Sequence, residues 1–256
     1  MNQERSGIPL RILTYNIQAG TGTTRYRKYV TESWKQVLPN SSGRLNNLHA
    51  MADLMRDYDL VGLQEADGGS LRSGFLNQTE YLARHASLPY WSHQSNRRVG
   101  PLIQSCNGFL SKYRPRLVID HKLPGMRGRG ALEVRFGPPD SGLHVIIVHL
   151  SLGRRGQSRQ LDFVAELVSG HRDVIVMGDM NCSMDSHAMA RFLGSSGLHS
   201  PDRDHSFPSW KPQRGIDHIL VSESIEVSTL SVPELEASDH RPVAMEVLLP
   251  ENIRLD

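Results

Sequence analysis

Ser238-Asp239-His240-Arg241-Pro242, followed by the apolar run Val243 to Leu249, is the stretch on which the reading of this chain turns. The run has the length and composition of a buried strand, and the Asp-His pair stands at its mouth. A carboxylate there can hold a divalent metal, and an imidazole can hold or move a proton near neutral pH. One such dipeptide is also what an ordinary polar surface provides. Its meaning depends on whether other strands end in partners for it.

Working outward, strands are expected at Leu10–Asn16, Leu60–Glu65, Asn107–Ser111, Arg116–His121, Ala131–Phe136, His144–Leu150, Val174–Met177, Ile216–Val221 and Ile225–Leu230. Helical spacing of apolar residues predicts helices over Arg44–Arg56, Phe75–Ala86, Ser158–Ser169 and Ala188–Leu193. A Gly-Arg-Arg-Gly loop is expected after His149, and a long polar loop over Pro201–Gly215. A strand, a helix and a strand followed by small strands occur twice. No Ser- or Pro-rich linker interrupts them. The expectation is one domain, residues 1–256, made of two β-sheets packed face to face with helices outside.

Composition excludes some classes. The chain has 256 residues, 38% hydrophobic, enough for a sizeable core without staples. Two cysteines, Cys106 and Cys182, do not make a disulfide framework and fit a reducing compartment. The start has no signal-peptide pattern, and no window approaches the ~20 apolar residues of a membrane span. A soluble, cytoplasmic protein is therefore expected. A net charge of +2 is too mild to name a partner. Short basic clusters at Arg97-Arg98, Arg127/Arg129 and Arg154-Arg155/Arg159 are either phosphate-meeting loops or merely solvated ones. Tyr26, Tyr29 and Trp34, set among basic residues, either touch a nucleic acid or lipid headgroup or pack beneath a loop.

The strands end in acids, amides and imidazoles: Asn16, Glu65, Asn107, His149, Asp179/Asn181, Asp217 and Asp239/His240. One such residue is commonly a turn former. Seven strand ends of this kind suggest convergence on one cleft, because polar groups at the ends of buried strands need partners. The donors are hard oxygens, which select Mg²⁺, Mn²⁺ or Ca²⁺ over zinc. There is no zinc-spaced Cys/His cluster, no Walker-type glycine loop and no Gly-x-Ser-x-Gly elbow. That chemistry suits metal-assisted attack on phosphorus.

Seven motifs then fall in a familiar order: Thr14-Tyr15-Asn16, Leu63-Gln64-Glu65, Cys106 to Ser111 (CNGFLS), Val148-His149-Leu150-Ser151, Gly178-Asp179-Met180-Asn181, Gly215 to Val221 (GIDHILV) and Ser238-Asp239-His240. Together they resemble the endonuclease/exonuclease/phosphatase superfamily, which includes DNase I-like nucleases, abasic-site endonucleases, neutral sphingomyelinases and inositol-polyphosphate phosphatases. The likeness spans residues 10–249 and is closest to small bacterial members. It implies a four-layer α/β sandwich of two mixed sheets flanked by helices, with the site at one end. It also implies a metal side of Asn16, Glu65 and Asp239, with Mg²⁺ the expected ion and Mn²⁺ or Ca²⁺ alternatives. By the same likeness His240 acts on the scissile phosphate and Asp217 orients it. Asp179 aligns or deprotonates water, Asn181 contacts phosphate and His149 assists the phosphate or leaving group. Either Asp179 or His240 takes the proton. Asn107 is expected to line the pocket. Gln18 stands where abasic-site endonucleases carry an acid, which favours one ion. The lack of disulfides separates the chain from secreted DNases. The expected activity is metal-dependent phosphodiester hydrolysis of nucleic acid, with Arg154 and Arg155 meeting the substrate backbone. Phospholipid or sphingomyelin-type diesters are the alternative substrate, and a catalytically silent binding protein is a third reading.

Overall fold

The computed structural model describes residues 7–21, 41–201 and 205–255. The Tyr26/Tyr29/Trp34 stretch lies outside them. The first sheet contains β1 (Ile8–Asn16), β2 (Leu60–Asp67), β3 (Tyr90–Val99), β4 (Ile103–Ser111), β11 (Glu226–Ser231) and β12 (Val243–Leu249), in the order β11-β12-β1-β2-β4-β3. The second contains β5 (Leu117–Lys122), β6 (Gly130–Phe136), β7 (Leu143–His149), β8 (Val174–Asp179), β9 (Leu198–His199) and β10 (Asp217–Ser222), in the order β5-β6-β7-β8-β10-β9. Each is mixed: β1 and β2 run parallel, as do β7 and β8, and the remaining neighbours are antiparallel. The parallel pairs are the crossovers of two βαβ units, through α1 (Ser41–Met55) and α3 (Arg154–Val168). The other helices are α2 (Gln78–His85) and α4 (His187–Ser196).

Strand periodicity explains the layers. On β1, Leu10 and Ile12 face the second sheet, whereas Leu13 and Tyr15 face α1 and α2. On β7, Leu143, Val145 and Ile147 face the first sheet, and Ile146 and Val148 lie under α3 and α4. The central core therefore lies between the sheets, with one further apolar layer under each pair of helices. This is the expected four-layer sandwich. The sheets approach closely at Gly62, where a Cβ would stand 3.0 Å from the Met177 Cε of the facing sheet.

Two expectations need correction. Helix α3 starts at Arg154, so the Arg-Arg-Gly expected as loop is its first turn. Tyr90–Val99, with no strand expected, is the edge strand β3. It is half-exposed and polar, so it lacks the apolar run that marks a buried strand. Among the described residues, no helix is long and apolar enough to cross a membrane.

Candidate active site

The carboxyl ends of the two parallel strand pairs meet at one end of the sandwich, which is where open α/β sheets place their ligand sites. From the second sheet, His149, Asp179 and Asp217 stand in one row: Asp179 is in register with His149 on one side and Asp217 on the other. Gly178 lets β8 reach that row. Its φ is +143°, and a Cβ there would lie 2.0 Å from the Val148 carbonyl oxygen, so no other residue fits beside Asp179. From the first sheet come Asn16 at the end of β1 and Glu65 near the end of β2. The β2–β4 register slips between Leu63 and Ala66, and Glu65 takes φ +57°. This bulge re-aims Glu65 out of the ladder.

The Ser238–His240 segment closes the seam between the sheets. Ser238 Oγ donates to the Asn16 carbonyl at 2.7 Å, and Ser209 clamps the segment through its backbone N–H to Asp239 O and its hydroxyl to Ser238 O. His240 Nδ1 lies 2.8 Å from Asp217 Oδ2, which also accepts from Ser206 Oγ at 2.5 Å. The Phe207 ring packs 4.9 Å from the His240 ring. His240 is only 6% exposed, so it is a buried residue rather than one at the mouth.

Asp179 Oδ2 is the hub. Asn16 Nδ2 donates to it at 3.0 Å, His149 Nε2 lies at 3.4 Å and His240 Nε2 at 3.9 Å. Its other oxygen accepts from the Asn181 backbone at 2.9 Å. Asn181 adopts φ +53°, a conformation asparagine tolerates, and donates through Nδ2 to Leu150 O at 2.9 Å. Gln157 of α3 donates to the Asn181 carbonyl at 2.9 Å and so braces it. Burial and the neighbouring Asp217 raise the Asp179 carboxyl to about 7, against the pull of His240, Asn16 and Asn181. His240 moves the other way. Burial disfavours its charge, but Asp217, Asp179 and Asp239 outweigh this and hold it up at about 10. Burial, Arg129 and His240 push His149 well below the usual imidazole range.

Glu65 is 37% exposed at its side chain, with Oε1 3.9 Å from His149 Nε2. Asp239 is 6% exposed and accepts from Gln18 Nε2 at 3.1 Å. Burial raises its carboxyl to about 6, with His240 opposing and Glu65 reinforcing. A buried acid destabilised by a second acid is a cradle for a hard cation. Glu65 and Asp239 fit an oxygen-ligated divalent ion. Asn16 gives its amide to Asp179, and its carbonyl oxygen accepts from the Gln18 N–H at 3.2 Å. Asn107 is fully buried and donates to Gly130 O at 2.9 Å, at the start of β6 in the facing sheet, and its Oδ1 has no protein partner among the described residues. Arg154 and Arg155 are exposed in the first turn of α3.

Sequence reasoning missed three partners. Arg129, flagged only as part of a basic cluster, brings a guanidinium nitrogen within 2.8 Å of both His149 ring nitrogens and faces Glu65 and Asp179. Ser206 holds Asp217, and Gln157 holds Asn181. Each lies on a loop or helix turn with no strand-end pattern to mark it.

Known proteins are similar to this chain in sequence and in fold. The chain is 30% identical over 145 residues to the uncharacterized protein YbhP of Escherichia coli K12, an alignment covering 51% of this chain and 56% of that one, so the chain spans about half the length of that curated relative. Its fold is similar to that of a mannosyl-6-phosphatase from Bacteroides thetaiotaomicron (TM-score 0.66, 18% identity, 94% of this chain and 100% of the other). It is also similar to that of sphingomyelinase C from Streptomyces griseocarneus (TM-score 0.62, 16% identity, 93% and 99%). At such identities the likeness shows the fold alone, and the two names act on different substrates. The sequence profile of the Endonuclease/Exonuclease/phosphatase family matches residues 13–240, which takes in every motif from the end of β1 to His240, and the chain belongs to that family.

Proposed function

We propose that this chain is a divalent-metal-dependent phosphodiester hydrolase that cleaves a nucleic-acid backbone by water attack on phosphorus. The observation that carries the reading is the convergence on Asp179 Oδ2 of Asn16 Nδ2 at 3.0 Å, His149 Nε2 at 3.4 Å and His240 Nε2 at 3.9 Å, with His240 Nδ1 tied to Asp217 at 2.8 Å. Burial raises the Asp179 carboxyl toward neutral pH, where it can take a proton, while the surrounding carboxylates favour the charged form of His240. Asp179 is then the group that accepts the proton of the attacking water. His240, oriented through Nδ1 by Asp217, presents Nε2 and its charge to the phosphate. Arg129 adds a second fixed cation on the His149 side, and Asn181, beside Asp179, is the amide assigned to a phosphate oxygen. Glu65 and Asp239, with Asn16 behind them, would hold Mg²⁺ or Mn²⁺. A bound ion supplies positive charge to the nonbridging oxygens.

The test is a panel of supercoiled DNA, single-stranded RNA, abasic DNA, sphingomyelin and a chromogenic phosphodiester, with Mg²⁺, Mn²⁺, Ca²⁺ or EDTA. Turnover of nucleic acid that EDTA stops and Mg²⁺ or Mn²⁺ restores is expected, with Asp179→Asn at least ~10²-fold slower. Restoration by zinc alone, or turnover indifferent to EDTA, contradicts the oxygen-ligated site. Turnover of sphingomyelin alone moves the enzyme to the lipid reading.

A further inference from the structure

A cleft of about 570 Å³ opens beside Asn181, within the ~300–1,000 Å³ of small-ligand sites. Its walls are the first turn of α3, the loop from β8 to α4 and Arg214 of the loop before β10. Asn181 lines this cleft and donates its backbone N–H to Asp179 Oδ1 at 2.9 Å, so the cleft adjoins the catalytic row.

The charges in this cleft are unusual for its position. The first turn of α3 carries Arg154 and Arg155 and no acid, and its N-cap, Gly153, offers no side-chain acceptor. Helix N-termini favour acids, because the dipole and the free N–H groups are already positive there. Arginines at this end oppose the helix's own field. Arg154 and Arg214 both border the cleft, as do Ser158 and His187, and Asp185 is the acid in its wall. Arg214 packs over Phe207 at 5.9 Å from the ring centroid, and Phe207 in turn packs on His240. Arg214 is thus linked to the catalytic imidazole through one aromatic ring, and it is exposed and lines the cleft. Among the described residues, no Phe, Tyr or Trp lines the cleft.

We propose that this cleft binds a second phosphate of the substrate strand, next to the scissile one, with Arg154 and Arg214 as its guanidinium clamp. The proposal rests on the phosphodiesterase reading above and narrows it to an oligonucleotide. Guanidinium forks match phosphate oxygens. A choline headgroup is a poor fit, because two arginines repel its quaternary ammonium.

The experiment compares the wild-type chain with Arg154→Gln/Arg214→Gln in Mg²⁺. The substrates are bis(p-nitrophenyl) phosphate and the dinucleotide TpT, each with one phosphate, a thymidine pentanucleotide with several, and sphingomyelin in micelles. The expected result is a pentanucleotide-over-TpT advantage in kcat/KM that falls about tenfold or more in the double variant, mainly through KM. The log–log salt slope on the pentanucleotide should also fall by ~0.7 for each lost phosphate contact. A double variant that keeps the full advantage while the wild type cleaves the chromogenic diester overturns the subsite and leaves the function standing. Sphingomyelin turnover lost in step with the substitutions gives the cleft to a headgroup and overturns it as well. A wild type that cleaves none of the four removes the phosphodiesterase reading itself, and the subsite with it.

Discussion

Asp217 shows how much a single buried side chain carries. One oxygen accepts from both Ser206 and His240, and the other has no protein partner among the described residues. The carboxylate is 3% exposed, so the imidazolium is its main compensation. His240→Ala therefore costs more than a catalytic group. Turnover should fall by ~10²–10⁴-fold, and the orphaned carboxylate should lower unfolding stability by ~1–3 kcal/mol. His240→Asn can return a donor near the Nδ1 position, so it should regain much of the stability and little of the rate. Steady-state kinetics and urea unfolding of the three proteins separate the two effects. A near-normal rate in His240→Ala would take His240 out of the mechanism, and unchanged stability in it would show that Asp217 does not depend on the ring. Residues at strand ends were legible from the chain because burial makes a polar strand end conspicuous. Arg129 and Ser206 were not, because each reaches its partner from a loop, 20 and 11 residues away in sequence.

At the scale of elements, strands with an apolar face were readable and those without one were not. Val243–Leu249 occupies the expected residues, whereas β3 was missed because its sequence, YWSHQSNRRV, is an edge strand's mixture. The start of α3 was read four residues late, because Gly153 is not a side-chain cap and Arg154-Arg155-Gly156 has no apolar stripe. The bulge that turns Glu65 into the cleft leaves no mark in local composition. Strand register also builds a polar cluster away from the site. Glu133 on β6 is paired with Ile119 and Ile146, so His121 on β5 and His144 on β7 are its diagonal neighbours on the same face, with Arg135 two residues along. Burial alone would raise Glu133, but Arg135 and His121 bond its oxygens, and His144 stands 3.6 Å away. Together they hold the carboxyl down at about 2, against an ordinary 4.5. The folded protein then binds fewer protons than the unfolded chain between those values, so stability rises with pH there. The contribution is complete above about 4.5 and is lost as pH falls to about 2. In urea midpoints across this window, the gap between wild type and Glu133→Gln should shrink as pH falls. A gap that stays constant would mean that the carboxylate's charge contributes nothing.

For the whole molecule, the division of labour follows the two sheets. The first sheet and the segment leading into β12 supply Asn16, Glu65 and Asp239. The second supplies His149, Asp179 and Asp217. Across the seam, Asn16 bonds Asp179 and His240 bonds Asp217. The doubled strand-helix-strand pattern visible in the chain is the reason such a seam exists, since each βαβ unit brings the carboxyl ends of its parallel strands to the same end of the sandwich. What the pattern does not encode is how the repelling acids of the first sheet are compensated. Glu65 bears on a nearly buried Asp239 whose carboxyl already stands at about 6. A divalent cation that binds this pair only in the folded state must stabilise the fold by mass action. At ~100 times its dissociation constant the gain is ~2.7 kcal/mol, which for a chain of this size is a rise of roughly 5–10 °C in Tm. Thermal unfolding with EDTA, then with graded Mg²⁺ or Mn²⁺, should show that rise without any substrate. Glu65→Gln should gain less from the metal than wild type. A Tm indifferent to both ions at millimolar concentration would deny the pair its cation. A full metal response in Glu65→Gln would shift the ion onto other ligands and leave the bulge at Glu65 without its purpose.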